Sequence, residues 1–286
     1  MFSRQRAILR LLENEGGSAN RLRLVKLAFL LSREMSAPKT GVYEFVPYRG
    51  GPFSFTLSHD LRKLGSDGWV VEAEDDIKVA QAPNLETAYL DQPFLDMIDD
   101  VSERCRSLST PALVDRVSAS DPWFTMNSET AHKRAVTRPA ALPAVYTVGY
   151  EGIMVDGLLH LLLQKGIQRL IDVRCNPIAR RYGFHKSTLK RLCEDVDIEY
   201  MHIPTLGIPS KWRTDLDDLA SYQRLFVRYE QEILPMQQAS VANVAKLQIE
   251  KPSALMCMEA DHTCCHRSRL AALVSRQTEL QVMELR

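Results

Sequence analysis

Between residues 145 and 285, short apolar runs alternate with longer amphipathic stretches, and few folds can absorb that alternation. The runs at 145–150, 169–174, 199–203, 253–258 and 280–285 have strand length. The stretches at 155–165, 186–194, 217–249 and 268–276 repeat their apolar residues at helical spacing. Strands separated by helices predict a mostly parallel sheet with helices on both faces, joined by right-handed crossovers. Chemistry in such a sheet gathers where strands end and helices begin, because free N–H groups there attract anions.

The part before residue 145 reads differently. Residues 3–14 show a helical pattern that stops at Gly16-Gly17, and a second helix is expected from about Ser18. A strand at 43–48, a turn at 49–52 and a third helix at 54–64 follow, and then a hairpin built from 69–74 and 77–80 around Asp75-Asp76. Helices followed by a small β-wing describe an α-rich winged-helix domain. Its phosphate-facing residues would be Arg21, Arg23, Lys26, Arg49, Arg62 and Lys63. Further helices are expected at 87–107 and 110–118. The expected organisation is a winged-helix domain with extra helices at 1–125, a polar Pro-containing linker at 126–143, and an α/β domain at 144–286.

Composition narrows the function classes. Lys plus Arg and Asp plus Glu each number 36, so the formal net charge is zero and any nucleic-acid contact must rest on local patches. No apolar run approaches the roughly 18–20 residues that span a bilayer, and the first residues lack a signal-peptide core. A cytoplasmic protein without a membrane partner is expected, and a symmetric homodimer is the default assembly. Six cysteines in a chain of 286 residues do not make a disulfide framework, so free thiols are expected.

Two segments carry the chemistry. The stretch ALMCMEADHTCCHRSR (254–269) delivers Cys257 and Glu259 at a strand end, then Cys265, His266 and Arg267 at a helix start. The stretch IDVRCNPIARRYGF (171–184) does the same with Asp172, Arg174, Arg180 and Arg181. With Glu151 after the first strand and His202 at the end of the third, these groups are expected to converge in one pocket at one sheet edge. Arginines there suit a phosphate or another anion, which guanidinium binds bidentately. Carboxylates beside them suit acid/base work or the stabilisation of a cationic transition state. Glu259, Asp172, Glu151 and His266 are therefore the candidate catalytic groups, and Arg174, Arg180, Arg181, Arg267 and His202 the candidate anion binders. Cys265 and Cys257 are candidate thiols, but no CxxC pair is present. No metal or cofactor is assigned, with zinc or iron on Cys257, Cys265 and His266, and Cys175 nearby, as the alternative. His59, His132, His160, His185 and His262 receive no role.

The phrases TVGYEG, IDVRCNPIARRYGF, EYMHIPTLG and MCMEADHTCCHR, in that order, resemble the "domain of unknown function 488" family over roughly residues 144–286. The family's Cys-x-Glu and Cys-His-Arg wording matches Cys257, Glu259, Cys265, His266 and Arg267. Its Asp-x-Arg and Arg-rich turn match Asp172, Arg174 and Arg181, and Cys264 is an additional cysteine. The phrases LVKLAFLL and YEFVPYRGGPFS resemble a YwgA-like winged-helix module. The resemblance implies a fold and site positions, while the reaction must be argued from the residues. The expectation is an enzyme that acts on double-stranded DNA and hydrolyses an N-glycosidic bond, with the target base turned out of the stack. That activity fits base excision of modified or damaged bases, in repair or genome defence. The alternative is a DNA-binding regulator whose α/β domain senses an anionic metabolite without turnover.

Overall fold

The computed structural model describes residues 1–35, 42–80, 90–129, 136–214, 216 and 218–286. The expected helix start at 87, part of the 126–143 segment and His132 lie outside the described residues. The chain forms two compact units, Met1–Thr137 and Arg138–Arg286. Among the described residues no helix is long and apolar enough to cross a membrane.

The first unit opens with α1 (Ser3–Asn14), whose apolar face (Ala7, Ile8, Leu11, Leu12) is buried. Gly16 and Gly17 both take positive φ and reverse the chain, so residues 18–20 extend instead of starting a helix. They form β1 (Ser18–Asn20), and the Asn20 side chain then caps α2 (Arg21–Glu34) by accepting from the Leu22 N–H. The expected strand at 43–48 shortens to β2 (Val46–Tyr48), which pairs with β3 (Gly51–Phe53) across a tight turn. Ser54 caps α3 (Phe55–Ser66). The hairpin of β4 (Val70–Ala73) and β5 (Asp76–Val79) follows, and β1 joins it antiparallel to give the order β1-β5-β4. Two capped helices, α4 (Gln92–Cys105) and α5 (Thr110–Ser120), pack on α2 and complete the unit.

The second unit contains a five-stranded, wholly parallel sheet of β6 (Val145–Gly149), β7 (Arg169–Asp172), β8 (Glu199–His202), β9 (Ser253–Cys257) and β10 (Val282–Glu284), ordered β10-β6-β9-β7-β8. Every residue of β7 and β9 is buried, as expected of central strands covered on both faces. Helices α6 (Val155–Gln164) and α7 (Lys186–Glu194) carry the chain from β6 to β7 to β8 in one direction. Helices α8 (Leu219–Arg228), α9 (Gln238–Glu250) and α10 (Arg267–Thr278) carry it back to β9 and β10. With right-handed crossovers the two sets cover opposite faces, and the direction changes around β6, β9 and β7. Leu158, Leu159, Leu162 and Leu163 of α6 are fully buried, each worth about 1.5–3 kcal/mol of transfer free energy.

The helical region expected at 217–249 forms from Leu219 to Glu250, but not as one regular α-helix. Pro235 lacks an N–H and crowds the preceding turn. The chain instead passes through a π-helical turn (Tyr229–Ile233) and a 3-10 turn (Leu234–Gln237) between α8 and α9. Part of the expected linker is also folded onto this unit. Arg138 donates to the carbonyls of Asp197 and Ile167, and Pro139 and Ala141 abut Gly166.

Candidate functional site

The parallel register sets Gly149 beside Cys257, and Asp172 beside both Met256 and His202. The strand ends therefore meet at one edge, at the switch point of the sheet, where α/β folds bind ligands. Side chains alternate across a strand, however, and this splits the expected single pocket into two clusters. Val173, Cys257 and Cys265 belong to the apolar layer under α8, α9 and α10. Asp172 lies on the other face, where its charge is felt by Cys193 of α7.

That second cluster is closed, which corrects the roles expected of Asp172 and Arg174. The Arg174 Nε and Nη2 donate to the two Asp172 oxygens at 2.8 and 2.6 Å. The Tyr200 hydroxyl donates to Asp172 at 2.6 Å, and Arg174 Nη1 donates to the Tyr150 hydroxyl and the Phe184 carbonyl at 3.0 Å each. Asp172 has no exposed surface. Burial pushes the Tyr200 hydroxyl well above its ordinary range, with Asp172 adding to the effect. Burial alone would lower the Arg174 pKa, but Asp172 more than offsets it. With both Asp172 oxygens and four of the five guanidinium N–H groups engaged, the buried pair ties β7 and β8 to the residue that follows β6 at this edge.

The first cluster is different. Cys257, Cys265 and His266 are buried, and Cys257 Sγ, Cys265 Sγ and a His266 ring nitrogen all lie within 4.8 Å of one another. Glu259 Oε2 is 3.2 Å from Cys257 Sγ, and Arg213 Nη1 donates to Glu259 Oε1 at 2.9 Å. His266 Nε2 is 3.3 Å from the Val173 carbonyl, which can only accept, so that nitrogen carries a proton. Its Nδ1 points at Cys257 Sγ, 3.7 Å away. Tyr229, from the π turn, packs edge-on against the imidazole at 5.4 Å and anchors its own hydroxyl on the Leu206 carbonyl. A local π turn at a functional position is a recurrent pattern.

Electrostatics divide the labour. A hydrogen bond from Cys265 holds the Cys257 thiol well below its ordinary range, and His266 and Arg213 help against the effect of burial. Burial pushes Cys265 up, and its partner thiolate adds to that. Burial also raises Glu259 above the usual carboxyl range, with Cys257 contributing and Arg213 opposing. Solvent reaches the group through Glu259 and Arg213, whose side chains are 17% and 30% exposed.

The other expected site residues take several roles. Arg267 is fully buried and donates to the carbonyls of Glu259 and Ala260, so it shapes the loop instead of binding an anion. Glu151 is exposed and accepts from the Ala260 N–H at 3.0 Å, which places a second carboxylate on the Glu259 loop. Burial raises the pKa of the Tyr222 hydroxyl of α8, and Glu259 adds to the effect, so Tyr222 lies within electrostatic reach of Glu259. Arg180 and Arg181 are exposed, and Arg181 reaches the Tyr150 carbonyl at 3.5 Å. His202 Nε2 meets the Arg174 carbonyl at 2.9 Å, which ties it to the strand end, while its Nδ1 is buried without a partner.

In the first unit two of the six expected phosphate contacts are structural. Lys26 is buried and donates to the carbonyls of Gly50 and Pro52 at 2.7 and 3.0 Å, which locks the β2-β3 turn. Burial lowers its pKa to about 8. Arg23 is buried, paired with Glu15, and bonded to the carbonyls of Cys105 and Leu108. Arg21 pairs with Glu72 and Arg49 with Glu129 on the surface, and Arg62 and Lys63 are exposed. A groove of about 340 Å³ lies between the start of α2 and the β2-β3 turn, lined by Arg21, Lys26, Gly51 and Asp75 among others.

Arg213, Tyr222 and Tyr229 are the site residues that sequence reasoning missed. Arg213 lies in the loop after β8, and its one sequence signal is a position following the carboxyl end of a strand. Residues 155–274, most of the second unit, match the family described as Domain of unknown function DUF488. No curated protein and no solved structure matches the chain.

Proposed function

We propose that the second unit hydrolyses an N-glycosidic bond in DNA, with Glu259 as the acid/base group. One observation carries this reading: Glu259 stands at the switch point, partly exposed, with its pKa raised by burial. A carboxyl in that state can give a proton to a departing base and, once ionised, offset positive charge on the sugar. Glu151, from the loop after β6 and hydrogen-bonded to the Glu259 loop, is the second carboxylate that such a reaction uses. Arg213 orients Glu259, and the exposed Arg180 and Arg181 are available to flanking phosphates.

The first unit supports a nucleic-acid substrate. We read its elements, α1, β1, α2, the β2-β3 hairpin, α3 and the β4-β5 hairpin, as a winged helix in which α3 presents Arg62 and Lys63 to solvent. The test is incubation of the purified protein with plain and modified DNA, followed by mass spectrometry of released bases. Free base released by the wild type but not by Glu259→Gln is the expected result. Release that persists in Glu259→Gln would remove Glu259 from the chemistry. Intact DNA that still binds the protein would favour the ligand-sensing regulator.

A further inference from the structure

The Cys257, Cys265 and His266 cluster is more elaborate than acid/base work at Glu259 requires. Two sulfurs and an imidazole nitrogen are brought together from the end of β9 and the start of α10, in a layer otherwise filled by Ile171, Val173, Leu225, Tyr229 and Leu270. Apolar cores commonly hold one cysteine as a small hydrophobic residue. Two cysteines and a histidine whose donor atoms lie within 4.8 Å of one another are a donor set.

We propose that Cys257, Cys265 and His266 bind one zinc ion, with a fourth position opening toward Glu259. The geometry supports this in three ways. First, a tetrahedral zinc with bonds of about 2.3 Å to sulfur and about 2.0–2.1 Å to nitrogen sets a sulfur–nitrogen separation of about 3.6 Å. The Cys257 Sγ to His266 Nδ1 distance is 3.7 Å, and all three donor atoms fall within 4.8 Å of one another. Second, the imidazole is already oriented as a ligand. Nε2–H donates to the Val173 carbonyl, the outer contact that ligating histidines usually make, and Nδ1 turns toward the sulfurs. Third, Glu259 Oε2 at 3.2 Å from Cys257 Sγ stands where a fourth ligand, or a water held by Glu259, would sit.

The donor types select the metal class. Two thiolates and one imidazole suit zinc and other soft or borderline ions, and disfavour calcium and magnesium. Two thiolates also balance the charge of a divalent ion, leaving Arg213 and Glu259 as a neutral pair at the rim. Arg213 Nη2, now 3.5 Å from His266 Nδ1, would give up that contact and keep its bond to Glu259. The proposal concerns metal binding alone and is independent of the glycosidic reading, since it would hold for any reaction at this edge.

The test is elemental analysis and native mass spectrometry of the full chain after reduction and equilibration with zinc, and cobalt(II) titration of the reduced apoprotein. One zinc per chain is expected, together with thiolate-to-cobalt charge-transfer bands and the intense visible bands of a tetrahedral site. Cys265→Ser and His266→Gln should lose the stoichiometric metal, and Cys264→Ser should keep it. Wild-type protein that gives only the weak spectrum of octahedral cobalt would overturn the proposal, a result that needs no variant to fold. Full zinc retention in folded Cys265→Ser would also overturn it. Recovery of Cys257 and Cys265 as a disulfide, with no zinc uptake after reduction, would assign the pair to redox chemistry instead.

Discussion

Lys26 shows how a residue's charge can be spent inside a unit. Its ammonium is buried against two carbonyls, and burial lowers its pKa to about 8 from an ordinary 10.5. Between those values the unfolded chain holds the proton and the folded chain does not. By linkage, stability rises with pH through that window and carries the full penalty below about pH 8. The gap corresponds to on the order of 3 kcal/mol. Thermal unfolding of the wild type should shift upward between pH 8 and 10 relative to Lys26→Met, and parallel curves would refute the assignment. Asp172 is the opposite case, a buried charge that is fully paired. Asp172→Asn leaves the Arg174 guanidinium buried without its partner, at a cost of about 3–5 kcal/mol in chemical denaturation. Its per-molecule activity under conditions where it stays folded should remain near wild type, unlike that of Glu259→Gln.

At the scale of elements, the site depends on how closely two strand-end loops approach. A Cβ at Gly149 would lie 1.9 Å from the Glu259 carbonyl oxygen, and one at Gly207 would lie 2.1 Å from the Cys175 nitrogen. Backbone cannot yield as a flexible side chain can. Gly149→Ala should therefore displace the Glu259 loop, cost at least the roughly 1–3 kcal/mol typical of overpacking, and impair any activity that needs Glu259. Hydrogen exchange of residues 258–260, faster in Gly149→Ala than in wild type, would locate the effect. The π turn acts at the same scale, since the irregularity forced near Pro235 sets Tyr229 against His266.

For the molecule as a whole, the proposed function has DNA bound by the first unit and altered by the second. The net charge is zero, so affinity must come from local basic groups. Replacing Arg62 and Lys63 together with Ala should weaken DNA binding and reduce the slope of log affinity against log salt by about one to two. Arg23→Ala should instead destabilise the fold without a specific change in salt slope, because its guanidinium is already used by Glu15 and two carbonyls. Fluorescence anisotropy across a salt series separates the two outcomes.

The parallel sheet and its strand-end motifs were legible in the sequence because burial on both faces leaves apolar runs, and crossover helices leave 3.6-residue periodicity. Cys257, Glu259, Cys265 and His266 could be picked out because a strand end and a helix start flank them. What each charged group does was decided by tertiary structure. Strand alternation put Asp172 and Cys257 on opposite faces, so groups adjacent at one edge were divided into a sealed pair and a reachable cluster. Periodicity marks where a side chain sits along an element, but it does not say whether a distant partner has already taken its hydrogen bonds. Tyr150 and Tyr200 closed the Asp172–Arg174 pair, and the carbonyls of residues 259 and 260 engaged Arg267. Arg213 reached Glu259 from a loop 46 residues away in sequence, a proximity that exists only once β8 and β9 are both in the sheet.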